Sequence, residues 1–514
     1  MSDQISDRKN KLDKLRAQGV DPYGWRFTEV SSTADVRAAA ETQNLPDGEI
    51  QPEGATTYRV AGRLILHRDI GSLIFMTLRD SSGDLQLGVS KKMIAGAVDA
   101  EGGAVGWKVA KLLDLGDVIG AEGRLGRTKT GELTLWLTDL RILSKCLRPP
   151  PEKFHGLTDV ETRYRKRYVD LFANPESRDV FLARAKIVRH MRDVLHERGF
   201  IEVDTPVLQP IYGGAAARPF VTQHNTLDMQ LYMRISPELY LKRCMVGGIE
   251  RVYEFARCLR NEGISPRHNP EFTMLELYQS YGDYHDMMDI TEELIGGAAE
   301  HVIGSTKIKF GEREIDYTRP WPRLKYADLF QQHVGFPMSD IAAAREKARS
   351  LGWEEAKWDD AVVVGALFEH HVEDKLVNPT FVCDYPAPLC PLTRRDPNDA
   401  SIALRFELYV NGMEVGNAYT ELNDPAVQRE NLERSALRGE GDETMAVMDE
   451  DFIEALEYGM PPAGGLGIGI DRVVMLLTGS QSIRDVILFP LQRVINVQAR
   501  DELGLTDDAK AGPE

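Results

Sequence analysis

Residues 260–272, "RNEGISPRHNPEF", gather Arg260, Arg267 and His268 between two apolar runs, "RVYEFARCL" and "TMLELY". Pro266 and Pro270 forbid a continuous helix there. The flanking runs read as paired antiparallel strands, so the segment is a polar loop of about ten residues, long enough to suggest function. Guanidinium groups bind phosphate or carboxylate oxygens through two parallel hydrogen bonds, which an ammonium cannot do. The loop is a candidate phosphate grip. A solvated tip with local salt bridges is the alternative.

A second constellation lies in "FELYVNGMEVGNAYTEL". Asn411-Gly412 is a strong hairpin signal. Pairing outward from it sets Tyr409 opposite Glu414, with Glu407 as Glu414's diagonal neighbour on one face, within about 7–8 Å. Two like charges so placed persist in water or around a cation. A hard divalent ion such as Mg2+, shared with substrate phosphates, meets that need; a hairpin with one wet face is the plainer reading. Asn417, Tyr419 and Glu421 alternate and line one face. Strict alternation sets that face opposite to Glu414's, so one site for both sets requires a β-bulge. In "GGLGIGIDRVVMLLTG", glycines permit close backbone approach, and Arg472 falls near a helix start, where the macrodipole is already positive. An anionic ligand would relieve that conflict, and so would a pairing with Asp471 or a nearby Glu.

These groups need a large scaffold, and 514 residues with 42% hydrophobic content supply one of two to four domains. No apolar run approaches the roughly 20 residues of a membrane span, and the N-terminus shows no signal-peptide core. Five scattered cysteines (146, 244, 258, 383 and 390) without C-x-x-C fit reduced thiols in the cytoplasm. The net charge of −18 argues against indiscriminate nucleic-acid binding but permits a local basic face. There is no G-x-x-x-x-G-K-[ST] loop, and "GLGIGIDR" does not fit a dinucleotide fingerprint.

Along the chain, residues 1–56 read as a short charged helix ending at Gly19 and a polar leading segment. Five β-rich runs follow over 57–148: "TYRVAGRLILH", "LIFMTLRD", "DLQLGVS", "DVIGAEGRLGR" and "LTLWLTDLRIL", with a helix-compatible stretch before the fourth. That order suggests an OB-type barrel rather than another small barrel or half-sandwich. A proline-stiffened linker spans 149–163 and a second domain 164–498, with mainly helical insertions over roughly 283–375 and a polar tail over 499–514. Asn174 and Pro175 open a helix whose spacing (Val180, Ile187, Val188, Met191, Val194, Leu195) runs to a stop at Gly199.

Three segments, "FIEVDTPVL", "FARCLRNEGISPRHNPEFTMLELY" and "GGLGIGIDRVVMLL", resemble the three motifs of class II aminoacyl-tRNA synthetases. "YRKRYVDL", "GGAAARPF", "ISPELYLKR", "NAYTELNDP" and "IRDVILFP" narrow the resemblance to bacterial-type lysyl-tRNA synthetases, over residues 10 to 498. The resemblance implies an α+β chain: an N-terminal five-stranded OB-fold barrel that reads the anticodon, and a catalytic domain with a mainly antiparallel sheet flanked by helices. It implies a homodimer acting on L-lysine, ATP and tRNA(Lys), with Mg2+ as cofactor. It places Arg260 between the lysine carboxylate and the α-phosphate, Arg267 and His268 on the outer phosphates, and Arg472 on the γ-phosphate. Phe272 and Arg472 fall on opposite faces of adenine, Glu262 and Asn269 near its edge, and Glu407 and Glu414 on the metal.

The implied lysine pocket is Gly214, Glu238, Glu276, Tyr278, Asn417, Tyr419 and Glu421. Glu421 and Tyr278 take the side-chain ammonium, and Glu238 with the Gly214 carbonyl takes the α-amino group. Phe75 and Gln86 match uridine-reading positions, against the alternative that Phe75 is a core aromatic. Departures are Tyr419 where Phe is common, Cys258 beside the motif-2 arginine, and "IYGG" for the usual "IPGG". Aspartyl and asparaginyl relatives would offer cations or amides where this pocket offers carboxylates. A protein-modifying lysyl paralogue would lack the barrel, and a binding protein with a decayed catalytic body would have lost motif residues.

Overall fold

The computed structural model describes residues 2–94, 106–151, 157–354, 356, 358–437 and 448–493. The chain divides into two compact units, Met1–Asp159 and Val160–Glu514. Part of the linker (152–156) and the C-terminal tail lie outside the described residues.

In the first unit, strands β1 (Tyr58–Asp69), β2 (Leu73–Arg79), β3 (Asp84–Ser90), β4 (Val118–Arg127) and β5 (Leu133–Ser144) close into a barrel of order β1-β2-β3-β5-β4. The period of two decides what is inside. Ile74, Met76 and Leu78 of β2 and Leu85, Leu87 and Val89 of β3 are fully buried, while Phe75 and Gln86 face outward, half-buried. Phe75 is therefore not a core aromatic. The expected N-terminal helix spans Ser2–Ala17, and the helix before β4 is the single turn Trp107–Ala110. The leading segment also holds a helix that was not expected, Thr33–Glu41. Ser32 caps it, and Val36 and Ala40 join the barrel core. The residues around it are polar enough to hide so short an apolar stripe.

The second unit is built on an eight-stranded sheet, ordered β14-β15-β16-β17-β18-β11-β10-β6. Its strands are β6 (Ile201–Glu202), β10 (Arg251–Leu259), β11 (Glu271–Ser280), β14 (Arg323–Lys325), β15 (Thr380–Pro386), β16 (Ile402–Val410), β17 (Met413–Thr420) and β18 (Ala463–Gly469). Only the edge pairs β6/β10 and β14/β15 are parallel. Leu275, Leu277, Phe406, Leu408, Leu466 and Ile468 turn to one face. There they meet the helices Pro175–Glu197, Tyr284–Thr291 and Ile470–Thr478 in one core. The opposite face carries the polar residues.

Shorter strands fill out the rest of this unit. "FIEVDTPVL" yields only β6 and the two-residue β7 (Leu208–Gln209), which joins β8 (Val221–His224) and β9 (Met229–Met233) in a small separate sheet. The 283–375 insertion is mainly helical but includes the hairpin of β12 (Lys307–Phe310) and β13 (Arg313–Asp316), and also β14. The buried strand β15, "TFVCDYP", lacked the alternation that marks a half-exposed strand.

The first helices of this unit are tied by a buried carboxylate. Asp170, fully buried, accepts from Arg163 Nε (2.9 Å), Arg167 Nη1 (2.7 Å), Asn174 Nδ2 (2.7 Å) and Ser177 Oγ (3.1 Å). Arg167 also donates to the carbonyls of Arg484 (2.6 Å) and Leu488 (3.1 Å). Asn174 thus precedes its helix without capping it through its side chain. Asp170→Ala strands buried Arg167 and should destabilise this unit by about 3–5 kcal/mol, read as an earlier transition in chemical or thermal unfolding.

Candidate active site

The polar face of the sheet is organised in rows of paired residues. Glu407, Asn417, Gly467, Glu276 and Glu254 lie opposite one another across β16, β17, β18, β11 and β10. The next row is Arg405, Tyr419, Gly465 and Tyr278. Tyr409 pairs with Glu414 as the hairpin turn requires, and the register shifts between Leu408 and Tyr409. That bulge, with Val415 as the extra residue, sets Glu414 on the face of Asn417 and Tyr419.

At one end of this face three carboxylates converge. Glu238 opens the helix Glu238–Val246, Glu276 sits in β11 and Glu421 follows β17; their exposures are 5%, 3% and 1%. Lys242, one turn beyond Glu238 and fully buried, stands between two of them. Its Nζ is 2.6 Å from Glu238 Oε1 and 2.6 Å from Glu421 Oε2. Burial opposes the Lys242 charge, but the two carboxylates outweigh it and hold its pKa above the ordinary lysine range. Glu276 accepts from Ser236 Oγ (2.8 Å) and Tyr278 Oη (3.3 Å). Burial and then the Glu238 charge push its carboxyl up to about 8. Burial likewise pushes Glu421 up to about 7, with Lys242 pulling against it.

The carboxyl Oε1 of Glu421 is buried with no hydrogen-bond partner. Gly465 makes room for it: a Cβ there would lie 1.9 Å from that oxygen. Gly214, at φ +84°, turns its backbone against Ser236 and Glu238, where a Cβ would lie 3.0 Å from each. The Tyr419 hydroxyl finds its partner in Asn417 Nδ2 at 3.0 Å.

The charged loop occupies residues 260–270 between β10 and β11. Arg260 lays its guanidinium over the Phe272 ring at 5.1 Å, and its Nε is buried without a partner. Asn269 donates to the Glu271 carbonyl (2.6 Å) while its Oδ1 is likewise buried and unpaired. Arg267 reaches the Gly412 carbonyl at 3.0 Å, and Glu262 is exposed. Burial and then the Arg472 charge lower the pKa of His268. The neutral ring can accept from Arg472 Nη2 at 3.0 Å and turn its Nδ1 to Ser265 Oγ at 2.8 Å. Arg472 lies in the first turn of the helix Ile470–Thr478 and donates to the Glu414 carbonyl at 2.5 Å. It does not pair with Asp471, which accepts from Arg184 Nη1 (2.6 Å) and the Thr273 amide (2.7 Å).

Glu407 and Glu414 differ in surroundings. Glu407 pairs with Arg405 and accepts from Tyr385 Oη (2.8 Å). The Tyr409 hydroxyl lies 2.5 Å from Glu407 and 2.9 Å from Glu373. One hydroxyl proton cannot serve both carboxylates; Glu373, pushed up to about 7 mainly by burial, can hold the second. Glu414 reaches solvent with 43% of its side chain and meets Arg472 Nη1 only at 3.8 Å. The cleft around it and then the Glu407 charge raise its pKa. Among the described residues no group of three metal-ligating side chains exists. Two carboxylates alone would leave most of a hard cation's coordination to oxygens of a bound ligand and to water.

The sequence reading therefore named residues that the fold brings together, but it missed Ser236, Lys242, Arg405 and Gly465. Two of these had a signal. Glu238 and Lys242 are four apart on a helix, and Arg405 and Glu407 are two apart on a strand. On the barrel, Phe75 meets Trp136 edge-on at 5.8 Å, and Gln86 Nε2 donates to Thr134 Oγ1 at 2.8 Å. Arg68 stands opposite Phe75 on β1.

Comparison with known proteins agrees with this layout. A family profile described as "tRNA synthetases class II (D, K and N)" matches residues 159–493, and one described as "OB-fold nucleic acid binding domain" matches residues 58–143. A lysine–tRNA ligase of Carboxydothermus hydrogenoformans is 48% identical over 500 residues, 96% of this chain and 98% of the relative. Its counterpart in Pelotomaculum thermopropionicum is 48% identical over 95% of this chain and 94% of its own length. That of Bacillus subtilis is 45% identical over 96% and 98%. With two domain profiles in the expected order and near full-length identity to these enzymes, the chain belongs to the lysine–tRNA ligase family of class II tRNA synthetases.

Proposed function

We propose that this chain activates L-lysine with ATP and transfers the lysyl group to tRNA(Lys), with the residue roles expected from its motifs. One observation carries the assignment of the site. Among the buried polar atoms without partners in the described residues, Glu421 Oε1, Arg260 Nε and Asn269 Oδ1 lie where the side-chain ammonium, the reacting carboxylate with its phosphate, and the adenine edge are assigned. Buried polar atoms are seldom left unpaired, which supports a cationic amino acid and a nucleotide as their missing partners.

In the first step the lysine carboxylate attacks the α-phosphorus of ATP, and the bond to pyrophosphate breaks. Arg260 holds the two anions together and offsets charge that builds during in-line displacement. Arg267, His268 and Arg472 hold the outer phosphates, and Phe272 gives adenine a stacking face. Glu407 and Glu414 would hold Mg2+, which when bound screens the triphosphate and stabilises departing pyrophosphate. In the second step a terminal ribose hydroxyl of tRNA attacks the lysyl carbonyl and AMP leaves. Glu238 with the Gly214 carbonyl takes the α-amino group, and Glu421 with Tyr278 takes the side-chain ammonium. An amino acid without that ammonium leaves buried charge unmatched, at a cost of several kcal/mol.

The half-exposed Phe75 and Gln86, with Arg68 alongside, suit a base that stacks and pairs by its edge. Exposed apolar side chains on the first-motif segment (Ile201, Val207 and Leu208) and elsewhere in the same unit (Tyr168, Leu182 and Phe489) support a homodimer. The five free cysteines support a cytoplasmic setting.

Pyrophosphate exchange assayed across all twenty amino acids tests the reading: lysine alone should drive it, and exchange independent of lysine overturns it. Arg260→Ala should lower lysine-dependent exchange by about a hundredfold to a thousandfold. Ionised carboxylates bind ammonium groups, so the lysine KM should fall as pH rises through the values near 7 and 8 held by Glu421 and Glu276. Glu276→Gln should remove the upper part of that profile. Phe75→Ala should raise the tRNA KM by about tenfold and leave exchange unchanged.

A further inference from the structure

The amino-acid pocket holds a cation that the protein itself supplies. Lys242 is fully enclosed, with its Nζ 2.6 Å from one oxygen of Glu238, 2.6 Å from one oxygen of Glu421 and 5.9 Å from the centre of the Tyr278 ring. Glu238 and Lys242 share one helical face at i,i+4. Glu421 follows the far end of β17, and its amide donates to the Ala463 carbonyl of β18 at 2.8 Å. The ammonium therefore links two elements and fixes the spacing of the two carboxylates.

We propose that Lys242 is a positioning and specificity-determining residue: a resident counter-ion that holds Glu238 and Glu421 apart so that each presents its second oxygen to one ammonium of the substrate. This deepens the pocket assignment above and rests on it. Charge counting explains the selectivity. Glu238, Glu276 and Glu421 carry three negative charges when ionised, and Lys242 answers one of them. Two remain, matching an amino acid with two ammonium groups. A singly cationic amino acid would leave a carboxylate bare in a closed site.

Without Lys242, three anions would face two ammoniums, and one carboxyl would hold a proton instead. A protonated carboxyl offers an ammonium little. The groups facing Lys242 are Glu238 on its own helix, Glu421 at the end of β17 and the Tyr278 ring from β11; the Glu238 charge in turn acts on Glu276 and Tyr419. Arg243 turns away to Asp449 and Asp451, and Arg405 is engaged by Glu407 and Asn417, so neither can stand in.

The test uses the full chain and lysine-dependent pyrophosphate exchange, with lysine and ATP varied separately between about pH 6.5 and 9. Lys242→Met should raise the lysine KM by about tenfold or more near neutral pH while the ATP KM stays within about twofold. The gap from the wild type should narrow as pH rises and the extra proton leaves. Lys242→Arg keeps the charge on a longer fork. It should raise the lysine KM several-fold, with no such narrowing, and it decides the matter alone if Lys242→Met does not fold. A wild-type lysine KM in either variant overturns the proposal. So does a loss that falls equally on lysine and ATP at every pH, which marks a purely structural role. A wild-type chain without lysine-dependent exchange would instead overturn the proposed function, so the two failures are distinguishable.

Discussion

Charge taken out of water has to be answered by opposite charge, and the second unit is arranged around that demand. Glu407 is answered by Arg405 and two tyrosine hydroxyls, Asp471 by Arg184, and Asp170 by Arg163 and Arg167. The amino-acid pocket is left short, with Lys242 bonded to two of its three carboxylates. In the empty protein the raised carboxyls of Glu276 and Glu421 can cover the shortfall with protons, and a doubly cationic ligand takes their place. Recognition here is the completion of an unfinished ion cluster.

Two local features let one face of the sheet hold both the amino-acid pocket and the Glu407–Glu414 pair. The register shift between Leu408 and Tyr409 carries Glu414 onto the face of Glu407 and Asn417. The missing side chain at Gly465 opens space that Glu421 and Tyr278 fill. The same strand β18 presents Leu466 and Ile468 to the helices on its other side. One stretch of chain thus seals the core with one parity and hollows the site with the other.

Much of this was legible in the sequence. Long strands with strong turn chemistry, the barrel and the hairpin around Asn411-Gly412, declare themselves because side-chain period and turn geometry act within a few residues. The loop of Arg260 was readable because prolines and charges interrupt two apolar runs. What stayed hidden depends on distant partners. Nothing near Lys242 says that Glu421, far along the chain, will meet it, and i,i+4 pairs of Glu and Lys are usually solvated. Short edge strands such as β6 and β14 owe their existence to their neighbours. Strand β15 is buried on both sides and shows no alternation. The bulge was seen as a requirement of a single site, but no residue type announced its position.

The helical insertion between β11 and β15 bears on how small such an enzyme can be made. Its helices Tyr326–Val334 and Asp360–His371 pack on Val382, Tyr385, Ala403 and Tyr409, and its last turn delivers Glu373 to the Tyr409 hydroxyl. Pruning it as a passenger would bare the apolar roof of the sheet and strip Tyr409 of one of its two acid neighbours. Any minimal version of this catalyst has to keep the insertion, or rebuild that end of the sheet from other residues.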